Sequence, residues 1–332
     1  MARVDICANG IMRAMRIRMV CPAPPRTLYG NRITALRWAR ILKKLGHSVS
    51  IDTAYEGAPC DLLIALHAKR SARAIFNFHE RHADKPVIVA LTGTDLYRDL
   101  KRSREARNAL ELATRIVALQ PLASEELEPA IRPKLRVIYQ SVEKTGNAAR
   151  RSRAAFQVCV ASHLRDVKDP FRAAMAVRRL PAESKIRVVH AGAAMDDDMA
   201  VRARAEEARN PRYRWLGEIP RSKVRRLIAS SHVLVLSSRM EGGANVISEA
   251  AVDGTAVIAS RIPGSVGLFG EDYPGFYPFG QTDALRELLL RAESDAPFYS
   301  GLRRRAAVIA PLFRPQREVD AWRKLLAEIA RR

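Results

Sequence analysis

The sequence predicts an α/β fold made of two doubly wound, parallel-sheet units placed one after the other. Three observations lead there. Short apolar runs alternate with helical patterns along the chain, as parallel strands do when crossover helices cover both faces of their sheet. At 332 residues the chain exceeds a usual single core. A polar, basic stretch at 143–153, EKTGNAARRSR, interrupts the series near its middle. The units are therefore bounded at 15–145 and 146–312. Residues 1–14 are set apart as a disordered extension, with Met15 or Met19 as alternative starts, and 313–332 as a C-terminal helix. Each unit is Rossmann-like, with ligands expected at the carboxyl ends of the strands, in a cleft between the units.

In the first unit, residues 16–23 read as a strand ended by Pro22, Pro24 and Pro25. A helix at 31–45 follows, with Trp38, Ile41, Leu42 and Leu45 on one face and Gly46 as its stop. Further strands are expected at 48–53, 61–66, 86–91, 115–119 and 136–139. His79 and His82 fall on a polar helix and are expected at its surface.

In the second unit a strand at 157–161 leads into a helix reaching residue 179. A strand at 186–190 leads through Ala191, Gly192 and the run Asp196-Asp197-Asp198 into another helix. A strand at 214–216 and a helix at 221–229 precede a strand at 233–236. The next stretch, residues 237–260, reads SSRMEGGANVISEAAVDGTAVIAS: loop, helix, turn, strand. Asn245 is the expected N-cap of that helix, Gly254 its left-handed stop, and 257–259 the next strand. The tail at 316–332 carries Val319, Trp322, Leu325, Leu326 and Ile329 at helical spacing.

Composition narrows the function. The formal charge of +22 favours anionic partners of some kind, and an arginine-rich solvated surface accounts for it equally well. No nucleic-acid recognition module is visible, and aromatic residues are only 6%, too few for stacking platforms. No apolar run approaches a membrane span, and residues 1–15 have no apolar secretion signal. Cys7, Cys21, Cys60 and Cys159 lack metal-ligand spacing, and the last three sit in or beside apolar strands. A reduced, cytoplasmic protein fits these features.

The stretch 237–260 carries the chemistry. Gly242 and Gly243 let backbone approach a ligand closely, and the helix start behind them at Ala244, Asn245 and Val246 offers unpaired amides and a positive dipole end, which suits a diphosphate. Glu241 reaches the sugar side of such a ligand. Glu249, about one turn into the helix, faces back toward a ribose, where a carboxylate accepts two hydroxyl hydrogen bonds. One element thus holds both ends of a sugar nucleotide.

Two glutamates at this spacing, with EGG in front and EAAVDGTAVIAS behind, resemble the donor-site signature of retaining GT-B glycosyltransferases. That resemblance implies a GT-B fold, a last helix that crosses back to the first domain, and an arginine and a lysine after the first strand of the second domain that neutralise the leaving diphosphate. Lys168 matches the lysine. His163 stands where the arginine is usual, and Arg165 is the nearest replacement. Gly192 lies on the neighbouring strand-end loop. Asp196 and Asp198 formally resemble the metal-binding pair of the other glycosyltransferase fold, but here they read as a helix-start acid cluster, so no metal is expected.

The first unit is expected to bind the acceptor through its strand-end loops. These carry Arg26, Thr27, Gly30 and Asn31, then His67, Lys69 and Arg70, then Thr92, Thr94 and Asp95. This lining is polar and cationic, and it fits a small anion better than a lipid or an oligosaccharide. With CPAPPRTLYGNRITALRWARIL, ALHAKRSA, ALTGTDLY, ASHLRDVKDPFRA and GLFGEDYPGFYP added, the chain from about Met15 onward resembles the selenosugar synthases of selenoneine biosynthesis. The resemblance implies transfer of a sugar, typically N-acetylglucosamine, from a UDP-sugar to selenophosphate. It also implies links to an enzyme that supplies selenophosphate and to one that consumes the selenosugar. Two other readings stand beside it: a general glycosyltransferase that grips anionic lipid through its basic surface, and a non-enzymatic, basic nucleic-acid-binding protein.

Overall fold

A computed structural model of the chain describes residues 13–27, 29–146 and 150–331. The first twelve residues of the extension, Leu28, part of the basic stretch and the last residue lie outside the described ones. The described residues form two compact units, one running to Gln140 and including the segment from Pro315, the other Ser141–Arg314.

The first unit holds a six-stranded sheet in which every neighbouring pair is parallel. Strands β1 (Arg16–Val20), β2 (Ser48–Asp52), β3 (Leu62–Leu66), β4 (Val87–Ala90), β5 (Arg115–Ala118) and β6 (Leu135–Val137) lie in the order β2-β1-β3-β4-β5-β6. The central strands β3, β4 and β5 are buried at every position, whereas the edge strands β2 and β6 are half-exposed. That contrast is the two-faced burial that unbroken apolar runs signal. Helix α1 (Gly30–Lys44) lays Trp38, Ile41 and Leu42 on one face of the sheet; α2 (Ala72–Arg81) lays Ile75 and Phe78 in the core of the other. After β4 come a π-helical turn at Asp95–Asp99, a short turn α3 (Leu100–Arg102) and α4 (Arg104–Leu112).

The second unit repeats the plan. Strands β7 (Phe156–Ala161), β8 (Ile186–Ala191), β9 (Tyr213–Trp215), β10 (Val233–Leu236), β11 (Ala256–Ser260) and β12 (Phe276–Tyr277) are parallel, in the order β12-β11-β10-β7-β8-β9. The helices are α5 (Arg172–Val177), α6 (Asp197–Arg209), α7 (Arg221–Ser230), α8 (Asn245–Asp253), α9 (Pro263–Phe269), α10 (Thr282–Ser294) and α11 (Ala296–Ile309). The last helix, α12 (Pro315–Ala330), belongs to the first unit. Its Trp322 packs edge-on against Trp38 with ring centroids 4.9 Å apart, and its buried Glu318 accepts from the Trp38 indole at 2.8 Å and from Arg37 at 3.1 Å.

Two local expectations need correction. The helix expected directly after β7 is replaced by a 3-10 turn at Asp166–Lys168, and α5 starts only at Arg172. Pro170 disfavours helical backbone at the residue before it, and Asp169 sits in the left-handed region at φ 44°. Helix α8 begins at Asn245 itself, with Ala244 in the cap position and no side-chain cap. Gly254 does end it, at φ 69°. Cys21, Cys60 and Cys159 are buried free thiols. Among the described residues no helix is long and apolar enough to cross a membrane.

Candidate functional site

The strand orders locate the candidate sites. In the second unit the chain runs from β7 outward through β8 and β9, then returns to the other side of β7 to lay down β10, β11 and β12. The order therefore reverses between β7 and β10, and ligands of open parallel sheets bind beside such a reversal, at the carboxyl ends of the strands. The loops leaving those two strands are 162–171 and 237–244, which hold most of the donor-site candidates.

The structure ties these two loops together. The Ser237 hydroxyl donates to the carbonyls of Lys168 and Asp169 at 3.0 and 2.8 Å, and the Arg239 amide donates to the Val167 carbonyl at 2.8 Å. The left-handed backbone at Asp169 turns the chain so that the Lys168 side chain reaches across to the other loop. Its ammonium donates to Oε1 of Glu241 at 2.6 Å, and the Ser238 hydroxyl donates to the same oxygen at 2.6 Å. Ser238 is itself fixed, because its carbonyl accepts from the Ser260 hydroxyl at 2.6 Å. The lysine and glutamate side chains keep 25% and 11% of their surface in solvent, so the pair is accessible. Two donors on one carboxylate oxygen make Glu241 a fixed acceptor, and the ammonium beside it supplies positive charge.

Behind this pair, Gly242, Gly243 and Ala244 lead into α8. Ala244, at the cap position, has no side chain able to cap that helix, and the first turn carries no acid, so the start of α8 at Asn245 and Val246 favours an anion. Glu249 lies inside α8, 1% exposed, with Oε1 accepting from the Arg221 guanidinium of α7 at 2.6 Å.

On the β7 side, His163 Nδ1 accepts from the Ala193 amide at 3.2 Å, and the Gly192 amide donates to the Gly217 carbonyl at 2.8 Å. These bonds join the loops after β7, β8 and β9. Gly192 is required there by space: a Cβ would lie 1.8 Å from the Ser162 carbonyl oxygen. Arg165 caps the 3-10 turn with its backbone, is half-buried, and makes no side-chain bond or ion pair among the described residues. Asp196 caps α6 by accepting from the Met199 amide at 2.8 Å; Asp197 and Asp198 are exposed in its first turn.

In the first unit the strand order reverses between β1 and β3, so the loops after those strands are the corresponding place. His67, directly after β3, is 2% exposed and has φ 75°. Its Nδ1 accepts from the Arg70 amide at 3.3 Å, so the proton sits on Nε2, which faces Thr94 Oγ1 at 3.2 Å and Asp99 at 3.7 Å. Burial pushes the His67 imidazole below its usual range, so it is neutral at pH 7. Asp95 is fully buried and accepts from the amides of Ala68, Thr92 and Gly93 at 2.8 to 3.2 Å. It shapes the β3 and β4 loops rather than facing outward. Lys69, Arg70 and Arg26 are exposed, Arg26 at φ 64°. Thr27 donates within its own loop, to the Pro24 carbonyl at 2.8 Å, while Gly30 and Asn31 open α1. Thus His67, Thr92, Thr94 and Asp95 form one connected cluster, and the bond from Thr27 stays in the β1 loop.

Several residues that build these sites are not evident from sequence. Ser237, Ser238 and Ser260 lie in the singled-out stretch, but the sequence assigns them no role. Gly264 packs against the loop after β10 so closely that a Cβ would lie 2.0 Å from the Glu241 carbonyl oxygen. Its signal was a glycine placed one turn after the end of β11. Asp99 and Arg221 carried no signal, because each meets its partner through tertiary packing.

Residues 147–308 match the family pattern described as Glycosyl transferases group 1. The whole chain is similar in fold to several solved glycosyltransferases. HepE of Anabaena in complex with UDP has a TM-score of 0.76 at 16% identity, covering 95% of this chain and all of that one. Sucrose-phosphate synthase of Thermosynechococcus elongatus has 0.74 at 14%, with the same coverage. A glycosyltransferase of Rickettsia africae has 0.71 at 13%, covering 95% of this chain and 98% of its own. The architecture of two Rossmann-like, parallel-sheet units is therefore that of the GT-B glycosyltransferases.

Proposed function

We propose, on the premise that the second unit is a group 1 glycosyltransferase domain, that this protein transfers a sugar from a UDP-sugar to a small anionic acceptor, selenophosphate, giving a 1-selenosugar and UDP. The observation that carries the donor half is the Lys168–Glu241 pair at the strand-order reversal, next to the N-terminus of α8. The UDP complex of HepE and the match over residues 147–308 support the same donor class. The acceptor half rests on the sequence motifs shared with selenosugar synthases and on the cationic strand-end loops of the first unit.

In this reading Glu249 accepts the ribose hydroxyls, the α8 amides and Lys168 hold the diphosphate, and Glu241 accepts sugar hydroxyls. Arg165, whose guanidinium has no side-chain partner among the described residues, adds charge to the departing UDP, and His163 lines the donor pocket with Gly192. The anomeric C–O bond breaks and its electron pair leaves with the β-phosphate oxygen. A selenium lone pair forms the C–Se bond. Water then takes the phosphoryl group as the P–Se bond breaks, giving the selenol and inorganic phosphate. Selenium is a soft nucleophile, already ionised near neutrality, so the reaction leans on positioning and charge stabilisation more than on a general base. Lys69, Arg70 and Arg26 hold the acceptor phosphate, with the His67, Thr92, Thr94 and Asp95 cluster shaping their loops and Gly30 and Asn31 closing the β1 side. No metal is required for any of these roles.

The test is a mass-spectrometric assay with UDP-N-acetylglucosamine and selenophosphate generated in place without oxygen, omitting each in turn. A hexosamine mass with a selenium isotope pattern, dependent on both substrates, is expected. UDP release with other acceptors only would retain the transferase and overturn the acceptor. Strong, salt-sensitive vesicle binding in that case would favour a lipid-linked acceptor.

A further inference from the structure

We infer that Arg221 is the positioning residue that makes Glu249 selective for a ribose over a deoxyribose, an inference that rests on the donor site proposed above. Arg221 is the first residue of α7, at the end of the loop that leaves β9. A cation is unfavourable at the positive end of a helix dipole, and this first turn contains no acid to offset it. The position is therefore not explained by the stability of α7. What the guanidinium does is cross to the next helix and donate to Oε1 of Glu249 at 2.6 Å.

The two partners differ sharply in exposure. The Glu249 side chain is 2% exposed, whereas that of Arg221 is 40% exposed. A guanidinium on a carboxylate so deeply buried makes a strong, directional bond in place of lost solvation. Arg221 approaches from the solvent side, at the carboxyl end of the sheet, where Gly217 and Gly192 join the β9 and β8 loops. A charge-assisted bond to one oxygen fixes the rotamer of the carboxylate and so fixes which directions its remaining lone pairs face. A cis-diol offers two hydroxyls to such a fixed acceptor; a 2′-deoxy sugar offers one.

The experiment compares the affinities of UDP and 2′-deoxy-UDP by calorimetry for the wild type, Glu249→Gln and Arg221→Met. A hydrogen bond to a charged group corresponds to roughly tenfold or more, so the wild type should prefer UDP by about that factor. Glu249→Gln should lose most of the preference. Arg221→Met should lose it to a similar degree while its affinity for 2′-deoxy-UDP stays within about threefold of wild type. Should that variant fail to fold, Arg221→Gln, with a shorter neutral side chain, is read for the same ratio. A wild-type ratio in the folded Arg221 variant, with the ratio lost in Glu249→Gln, overturns the role of Arg221 and leaves the donor site standing. Equal loss of both nucleotides in the Arg221 variant also overturns it, because that is the signature of a diphosphate contact. A wild type that binds neither nucleotide removes the donor-site reading and this inference together.

Discussion

The Lys168 ammonium and Oε1 of Glu241 lie 2.6 Å apart, across the two loops that leave β7 and β10. A cation that serves a departing diphosphate matters most when charge develops. Lys168→Ala should therefore lower kcat by about a hundredfold, as loss of one electrostatic stabiliser does, with a smaller change in donor affinity. Steady-state kinetics with a direct UDP-binding measurement checks this. Equal losses in turnover and affinity would mean uniform binding instead. Because Glu241 and Lys168 share a bond, the double variant should lose much less than the product of the two single losses.

Gly264 gives a purely steric prediction. Its missing Cβ is what allows α9 to sit against the backbone of the loop after β10. Gly264→Ala should push Glu241 out of line, cost roughly 1–3 kcal/mol of stability, as overpacking does, and weaken UDP binding. Gly301, within α11, is the control, since a Cβ there meets nothing nearer than an arginine tip at 3.8 Å. Gly301→Ala should leave UDP binding alone and raise stability by about 0.5–1 kcal/mol. Thermal melts of both variants, with and without UDP, read the contrast.

How far the sequence reaches can be judged from these same residues. The strands were legible because unbroken apolar runs such as LLIAL and VLVL are buried on both faces, and Gly254 was legible because a helix stop has a local cause. The 237–260 stretch stood out as one contiguous motif. The missed features all depend on distant parts of the chain. The Lys168–Glu241 bond spans 73 positions, and the close approach of Gly264 to Glu241 is visible only once α9 is packed. Asn245 was misplaced as a cap because an asparagine before an apolar run is a good cap by propensity, and only the backbone at Ala244 decides where the helix begins. Asp95 resembled a site residue because carboxylates on strand-end loops often are, yet three amides of its own neighbourhood surround it.

The tail helix α12 supplies core to the unit that the chain builds first. Trp322 and Trp38 are both fully buried and meet edge to face. Trp322→Ala should destabilise that unit by about 3–5 kcal/mol, the cost of deleting a buried aromatic. Trp322→Phe should cost much less, because the indole N–H of Trp322 has no hydrogen-bond partner among the described residues. Urea unfolding of the two variants, followed by limited proteolysis to see which unit opens, checks the size and the location of the effect.

Acidification should expose His190. The ring is fully buried in β8, with Nδ1 accepting from the Tyr213 hydroxyl at 3.0 Å and Nε2 donating to the Ser162 carbonyl at 2.9 Å. Burial pushes its pKa down to about 4, and the nearby His163 pushes the same way. The unfolded chain takes up a proton near pH 6.5, and the folded chain does not until about pH 4. Stability from the neutral ring is thus fully present above about pH 6.5 and falls as the pH drops toward 4, by roughly 3 kcal/mol in all. His190→Gln should be destabilised at pH 7.5 because it disturbs both bonds, but should lose less on moving to pH 4.5. Between those two pH values, the gap in unfolding free energy between wild type and variant should narrow by about 2 kcal/mol. His47, His67 and His232, whose imidazoles desolvation also pushes down, titrate in both proteins and cancel in this difference. A gap that stays constant with pH would show that His190 is protonated alike in the folded and unfolded chains.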